Sequence, residues 1–275
     1  MKNLIIILTL VILVFSGCKD KITQPPEFTN KNLLHKTYSD PNSKTYTEYL
    51  YNSSYKLVTI KSYNNGALER TTDYEYDKNQ NIIKENTFHT YFGQPEYAYL
   101  TNEYDGQGLL TKSFAYLRMS DGTNEHRSTI TYIYDDKKRL ITASIFNTDS
   151  VKTKYTELFF NDDGNVVETN FYQDNKLSFN DKYEYDKMNN PLKLSSTSIS
   201  CYTISKNNVV KHTQINYMMD SDTSVQECTY EYNSNQYPIS YSNGTQKFYF
   251  EYYWNRWSGL TSWSNLEALK NSSCK

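Results

Sequence analysis

The sequence predicts an all-β protein. It reads as an antiparallel β-meander of about seven to eight hairpin repeats, each about 25 residues long, in an open twisted or rolled sheet with a short C-terminal helix. Three observations carry that reading. Tyrosine supplies 28 of 275 residues, and Tyr, like the many Thr beside it, prefers strands. Segments of strand length alternate with clusters of Asn, Asp, Gly and Ser, the pattern of a meander. One short motif also recurs along the chain. Leu, Ile, Val and Phe are sparse, so Tyr must supply much of the buried surface, with its hydroxyl wet at a rim or hydrogen-bonded when covered.

The motif copies are YLYNSSYKLV (49–58), YEYDKNQNIIK (74–84), NEYDGQGLLTK (102–112), YIYDDKKRLIT (132–142), LFFNDDGNVVE (158–168), YEYDKMNNPLK (183–193) and YEYNSNQYPIS (230–240). Measured at the aromatic residue before the Asp or Asn, the steps are 25, 28, 30, 26, 25 and 47 residues, and the last reads as two units with one signature lost. Secondary turns fall between signatures, at 64–66, 120–124, 173–176 and 206–208. Each unit is therefore strand, turn, strand, turn, with strands of about eight to ten residues.

Within a copy the period of two puts Tyr74 and Tyr76 on one face and Glu75 on the other, and Tyr183-Glu184-Tyr185 and Tyr230-Glu231-Tyr232 repeat that division. The following Asp or Asn can fold its side chain onto the backbone and start a turn. Gly108 and Gly164 can supply positive φ near the end of the turn, with Asn81, Arg139, Asn190 and Tyr237 at the place read as equivalent. An apolar pair such as Ile82-Ile83 or Val166-Val167 restarts the chain as a strand.

With these residues in view, the pattern resembles the YD (RHS-type) repeat, whose Tyr, Asp, Gly and Leu stand in place in YDGQGL (104–109); the resemblance covers about 49–240. Large members of that family wind a strand ribbon into a shell around a toxin. This chain has too few units for a shell and no toxin-like segment. It is similar to small YD-like lipoproteins of the Bacteroidota.

The ends of the chain give the expected address. Residues 1–17 read as a signal peptide, with one Lys and an apolar run from Leu4 to Phe15 that is too short to span a bilayer. Phe15-Ser16-Gly17-Cys18 resembles the bacterial lipobox, with Phe where Leu is usual, which implies acylation of Cys18. Residues 18–32 are polar, contain Pro25-Pro26, and read as a tether. The expected location is the bacterial outer membrane, lipid-anchored, on its periplasmic or cell-surface face. Loss of Lys2 with the leader takes the net charge from −2 to about −3, which argues against nucleic acid as a partner. A membrane-spanning barrel is disfavoured, because a lipid-facing strand needs one apolar face and these strands place Glu, Lys and Asp opposite the tyrosines.

The domain division is completed by a β-repeat domain over 33–247 and an aromatic strand with a helical cap over 248–275. Trp254, Trp257 and Trp263 cluster there beside Arg256 and Tyr252. Flat rings next to a guanidinium can stack on a sugar or grip a peptide. The alternative is a plug closing the end of the array, since repeat arrays need an atypical terminal unit. Ser264-x-x-Glu267 is a capping-box pattern and predicts the terminal helix.

Other chemistry is thin. Counting through the turns puts Cys201 and Cys228 on opposite sides of one intervening strand, about 9–10 Å apart, too far for a disulfide. Asp220-x-Asp222-x-Ser224 with Glu231 resembles a calcium loop, but Val225 stands where glycine is needed and an acidic hairpin tip is the plainer reading. No nucleophile, zinc or phosphate motif appears, and no cofactor is expected. The reading is a non-enzymatic, lipid-anchored envelope protein whose Tyr-rich sheet binds or scaffolds a glycan, peptide or outer-membrane protein. The alternative is a hydrolase of envelope or extracellular polymers, which requires converging carboxylates.

Overall fold

A computed structural model describes residues 33–91, 94–193, 200–218 and 222–253. The chain is antiparallel β throughout: β1 (Leu34–Tyr38), β2 (Tyr46–Tyr51), β3 (Leu57–Asn64), β4 (Ala67–Tyr76), β5 (Ile82–Tyr91), β6 (Gln94–Tyr104), β7 (Leu110–Arg118), β8 (Asn124–Tyr134) and β9 (Leu140–Phe146). It continues through β10 (Lys152–Phe160), β11 (Val166–Gln173), β12 (Lys176–Tyr185), β13 (Val209–Asn216), β14 (Asp222–Glu227), β15 (Thr229–Tyr232), β16 (Pro238–Ser242) and β17 (Lys247–Tyr252). One short helix, α1 (Cys201–Ile204), interrupts the described strands.

The sheet is rolled rather than open. Each strand pairs with its sequence neighbour except β14 with β15, and β1 pairs with both β2 and β17, which joins the ends of the meander into a barrel-like ring. An antiparallel ring needs an even number of strands. β14 and β15 supply it by running on as one strand broken at Cys228, whose amide still donates to the Val210 carbonyl at 2.8 Å.

Six of the seven motif corners repeat one device. At the second of them the Asp77 carboxylate accepts from the amides of Asn79 and Asn81 at 2.8 and 2.9 Å. Asp105 and Asp135 act alike, and Asn52 and Asn233 do so with their amide oxygens. The left-handed residue stands three after the Asp or Asn: Tyr55, Gln80, Gly108, Lys138, Gly164 and Gln236, with φ between 61° and 84°. This corrects the expected Asn81, Arg139 and Tyr237 by one position, because the hydrogen-bonded loop closes on the residue after the left-handed one. The register then slips, so that the aromatic before the Asp or Asn pairs with the apolar residue five after it, as in Tyr76↔Ile82, Tyr104↔Leu110, Phe160↔Val166 and Tyr232↔Pro238.

The tyrosine of the motif ties one corner to the preceding one. Its hydroxyl donates to the carbonyl of the preceding unit's apolar residue: Tyr76 to Leu57 (2.6 Å), Tyr104 to Ile82 (2.8 Å), Tyr134 to Leu110 (3.0 Å), Tyr185 to Val166 (2.5 Å) and Tyr252 to Pro238 (2.7 Å). Burial, followed by the charge of Glu85, pushes the Tyr76 and Tyr104 hydroxyls up to about 12, so these groups act as donors at any physiological pH. Tyr76→Phe is expected to lower unfolding stability by about 1 kcal/mol, the usual net value of one such bond. A denaturant titration giving an unchanged midpoint would remove the ladder from the stability account.

The 47-residue step is not a lost copy. It is one unit whose corner is enlarged, because the partner of Tyr185 is Val209, which arrives 23 positions after Asp186. The enlarged corner folds inward as a plug. Cys201 on α1 is buried with Leu158, Val166 and Val209, while Leu192 packs on the cluster of Leu34, Tyr49, Leu57, Phe250 and Tyr252. Asn165, 2% exposed, accepts from the amides of Lys206 and Asn207 and donates to the Asn207 side chain. Cys201 and Cys228 are both buried free thiols and, as expected, are not bonded to each other, although Cys201 sits on a helix and not on a strand. Burial pushes the Cys201 thiol up to about 12, which keeps it protonated and unreactive.

The ring is fastened at the short strand β1. His35 Nδ1 lies 2.9 Å from Glu251 Oε1 on β17, its Nε2 lies 3.5 Å from Glu48 on β2, and its ring packs 4.3 Å from that of Tyr253. The hydrogen bond from His35 holds the Glu251 carboxyl below its ordinary 4.5. A depressed carboxylate stabilises the fold above its unfolded pKa, and that contribution disappears as pH falls through the folded value. Unfolding midpoints of the natural chain and of Glu251→Gln are therefore expected to differ at pH 6 and converge towards pH 3. A constant difference across that range would contradict the assignment.

Candidate binding surface on the outer face

In every strand alternate residues point to opposite faces, and the register assigns them. The Tyr-x-Tyr positions and the buried aliphatics face inward. Outward positions hold the exposed apolar residues Ile133, Phe159 and Val225, interleaved with the ion pairs Lys84–Glu75, Lys211–Glu184 and Lys247–Glu231. A lipid-facing barrel would carry an unbroken apolar band about 25 Å tall there, which these charges interrupt. No helix among the described residues is long and apolar enough to cross a membrane.

The outer face also carries tyrosines. Positions six before and eleven after the turn Asp or Asn meet across adjacent strands, pairing Tyr46 with Tyr63, Tyr99 with Tyr116 and Tyr155 with Tyr172. Their rings stack with centroids 4.6, 4.8 and 4.3 Å apart, tilted by 22°, 13° and 6°. A lysine ammonium lies over one ring of each pair: Lys36 over Tyr46, Lys84 over Tyr99 and Lys152 over Tyr155, at 5.0, 4.9 and 4.1 Å. This corrects the expectation of one tyrosine face and one charged face. The signal was present as parity, because a residue six before the Asp must point away from one that is five before it.

One of these pairs lies in a groove of about 590 Å³ across β4–β7. Phe88 and Tyr97 pack 4.9 Å apart at one end, and Tyr99 lies next along β6 with Lys84 above it. Asp73, Asn86, Arg118 and Asn124 line the groove as well. Tyr97 is 48% exposed. Asp73 accepts from the Thr59 hydroxyl at 2.7 Å, and Asn86 donates to Glu75 at 2.7 Å, so the polar groups are held in place. The result is an aromatic lining, with the Phe88 and Tyr97 rings tilted 45° to each other, and fixed donors and acceptors beside it, chemistry that fits a ligand with an apolar face and a polar edge.

A second hollow, about 350 Å³, is lined mostly by inward residues of β3–β7, Arg70, Tyr74 and Glu85 among them, and shares Thr87, Ala98 and Tyr99 with the groove. The hydrolase alternative needs two carboxylates at one cleft. The groove presents Asp73 and the inner hollow presents Glu85, one each.

Of the expected contacts, Tyr252 is 3% exposed and spends its hydroxyl on Pro238, so it is a core residue with no surface for a ligand. Trp254, Arg256, Trp257 and Trp263, the helix expected after Ser264, Cys18 and the tether all lie outside the described residues, as does Asp220 of the acidic tip.

No family model matches the chain, and no curated protein matches it in sequence. Among solved structures it is similar to a porin-like protein from Bacteroides uniformis ATCC 8492, at 12% identity and a TM-score of 0.47, covering 80% of this chain and 98% of that one. A porin-like protein from Bacteroides vulgatus ATCC 8482 gives 11% and 0.49, covering 81% and 99%. A TcdB2-TccC3 structure gives 10% and 0.24, with 79% of this chain against 16% of that one. Likenesses at these scores carry no functional argument.

Proposed function

We propose that this chain is a lipid-anchored protein of the bacterial envelope, held by an acylated Cys18, whose outer face captures glycans through the groove at Phe88, Tyr97 and Tyr99. The observation that carries the reading is the groove itself: the exposed ring of Tyr97 with the half-buried rings of Phe88 and Tyr99, flanked by Lys84, Arg118, Asp73 and Asn86. Pyranose rings present an apolar C–H face that packs on such rings, while their hydroxyls need donors and acceptors held in place nearby. The YD-like repeat supplies a rigid ring on which the groove is built, and residues 18–32 act as the tether. The tail patch of Trp254, Trp257 and Trp263 is a second proposed contact of the same kind.

A glycan array probed with the full-length protein in detergent tests this reading. A glycan that binds the natural chain is expected to lose at least tenfold in affinity with Tyr99→Ala and to keep its affinity with Trp257→Ala. The reverse pattern would move the contact to the tail. Absence of any glycan binding would leave a scaffold for another envelope protein as the surviving reading. Incorporation of radiolabelled palmitate, lost in Cys18→Ser, tests the anchor separately.

A further inference from the structure

The ring leaves one strand edge open. Thr229 on β15 pairs with Ser242, the last residue of β16, and the chain then turns at 243–246. β14 (Asp222–Glu227) runs six residues beyond that point, about 20 Å of strand, and pairs with β13 alone among the described residues. We infer that this edge of β14 binds an extended peptide segment of another protein by strand addition, in the place that a longer β16 would fill.

Backbone alternation decides which groups are available. The Cys228 amide donates to the Val210 carbonyl. In an antiparallel pair that direction recurs at every second residue, so Asp222, Ser224 and Gln226 turn their N–H and C=O groups to β13. Thr223, Val225 and Glu227 turn theirs to the open edge, continuing the row that Thr229 and Glu231 direct at β16. Three donors and three acceptors are thus set in strand geometry before a partner arrives. The edge also lacks the usual defences against pairing. The strand DTSVQE holds no lysine and no proline, and its register with β13 shows no bulge.

The side chains choose the partner. Five of the six residues are exposed, and Val225, at 57%, offers an apolar contact on the outer face. Asp222 and Glu227 stand at the two ends and form no ion pair among the described residues. Lys211, opposite Glu227, lies 3.3 Å from Glu184 instead, and Lys247 at the base of the gap lies 3.0 Å from Glu231. A second copy of this chain would bring two acidic edges together, which like-charge repulsion opposes. The complementary occupant is an antiparallel strand with a cation at each end and apolar residues facing Val225 and Thr223, of the pattern Lys-x-Val-x-Val-Lys.

Calorimetry with the full-length protein in detergent and the probe acetyl-Lys-Thr-Val-Thr-Val-Lys-amide tests the edge. The probe is expected to bind, and replacement of both its lysines by glutamate to weaken it at least tenfold. In this register the valine amides of the probe face β14 and its threonine amides face away. N-methylation of the first valine is therefore expected to cost at least tenfold, and N-methylation of the first threonine to leave affinity nearly unchanged. On the protein, Val225→Pro removes an edge N–H without touching the β13 ladder and should abolish binding. Asp222→Lys combined with Glu227→Lys should reverse the preference between lysine and glutamate probes, while Tyr99→Ala, in the outer groove, should change nothing. Absence of heat with the probe up to millimolar concentration, or equal binding of the two N-methyl isomers, would overturn the inference. So would sedimentation showing a dimer that Val225→Pro dissociates, because a second copy would then hold the edge. The N-methyl and glutamate probes need no variant, so they decide the matter even if Val225→Pro does not fold.

Discussion

Asn165→Ala is expected to lower unfolding stability by about 3–5 kcal/mol, more than any other single polar change in the ring. Its side chain accepts from two backbone amides of the plug, at 2.9 and 3.0 Å, and donates to the Asn207 oxygen at 3.0 Å, all in a site 2% exposed. Alanine leaves the buried Asn207 amide, the part-buried Lys206 amide and one oxygen without partners, each buried group at a cost of about 1–3 kcal/mol. The neighbouring contact depends on the same arrangement, since Ser205 Oγ accepts from the Val166 amide and donates to the Tyr185 hydroxyl. Chemical denaturation followed by tyrosine fluorescence measures the loss. Hydrogen exchange should show residues 200–208 opening first. A loss below 1 kcal/mol would mean that the plug is not anchored at this corner.

Leu34→Ala should cost about 2–5 kcal/mol, as large-to-small changes at fully buried sites do. Leu34 is 1% exposed and joins the cluster that spans β1–β3 and β17. Its strand is five residues long and pairs with β2 over only three positions. The loss therefore falls on the element that closes the ring. Amides of β1 and of the facing edges of β2 and β17 should lose exchange protection ahead of those in β5–β7. By contrast Ile83, outward and 39% exposed, should tolerate alanine within about 0.5 kcal/mol. If the two variants melted alike, the seam would not be the weak point.

The corners were legible in the sequence because their chemistry is local. An Asp that bonds the amides two and four residues ahead needs only its own loop, and period-two alternation turns Tyr74 and Tyr76 inward without reference to the rest of the chain. Closure of the ring was not legible, since β1 (LHKTY) carries no motif and its pairing with Tyr252 spans more than 200 residues. The plug was misread because spacing alone cannot separate a missing signature from an inserted corner; only the pairing of Tyr185 with Val209 does. The outer groove was missed for a simpler reason. Tyr97 and Tyr99 lie outside the Tyr-x-Tyr-Asp copies, and only their even offset from Asp105 along β6 turns them outward.

Closure of the antiparallel ring restricts how a chain of this design can change in length. Removing one strand would leave two parallel neighbours at the seam, so a viable shortening or lengthening must take a whole hairpin, about 25 residues in the present spacing. Natural variants of such a chain should then fall into discrete size classes separated by that step, with circumference rising from class to class. Insertions of any other length should be confined to corners, where the segment between Asp186 and Val209 already shows that a loop can grow without disturbing the register on either side.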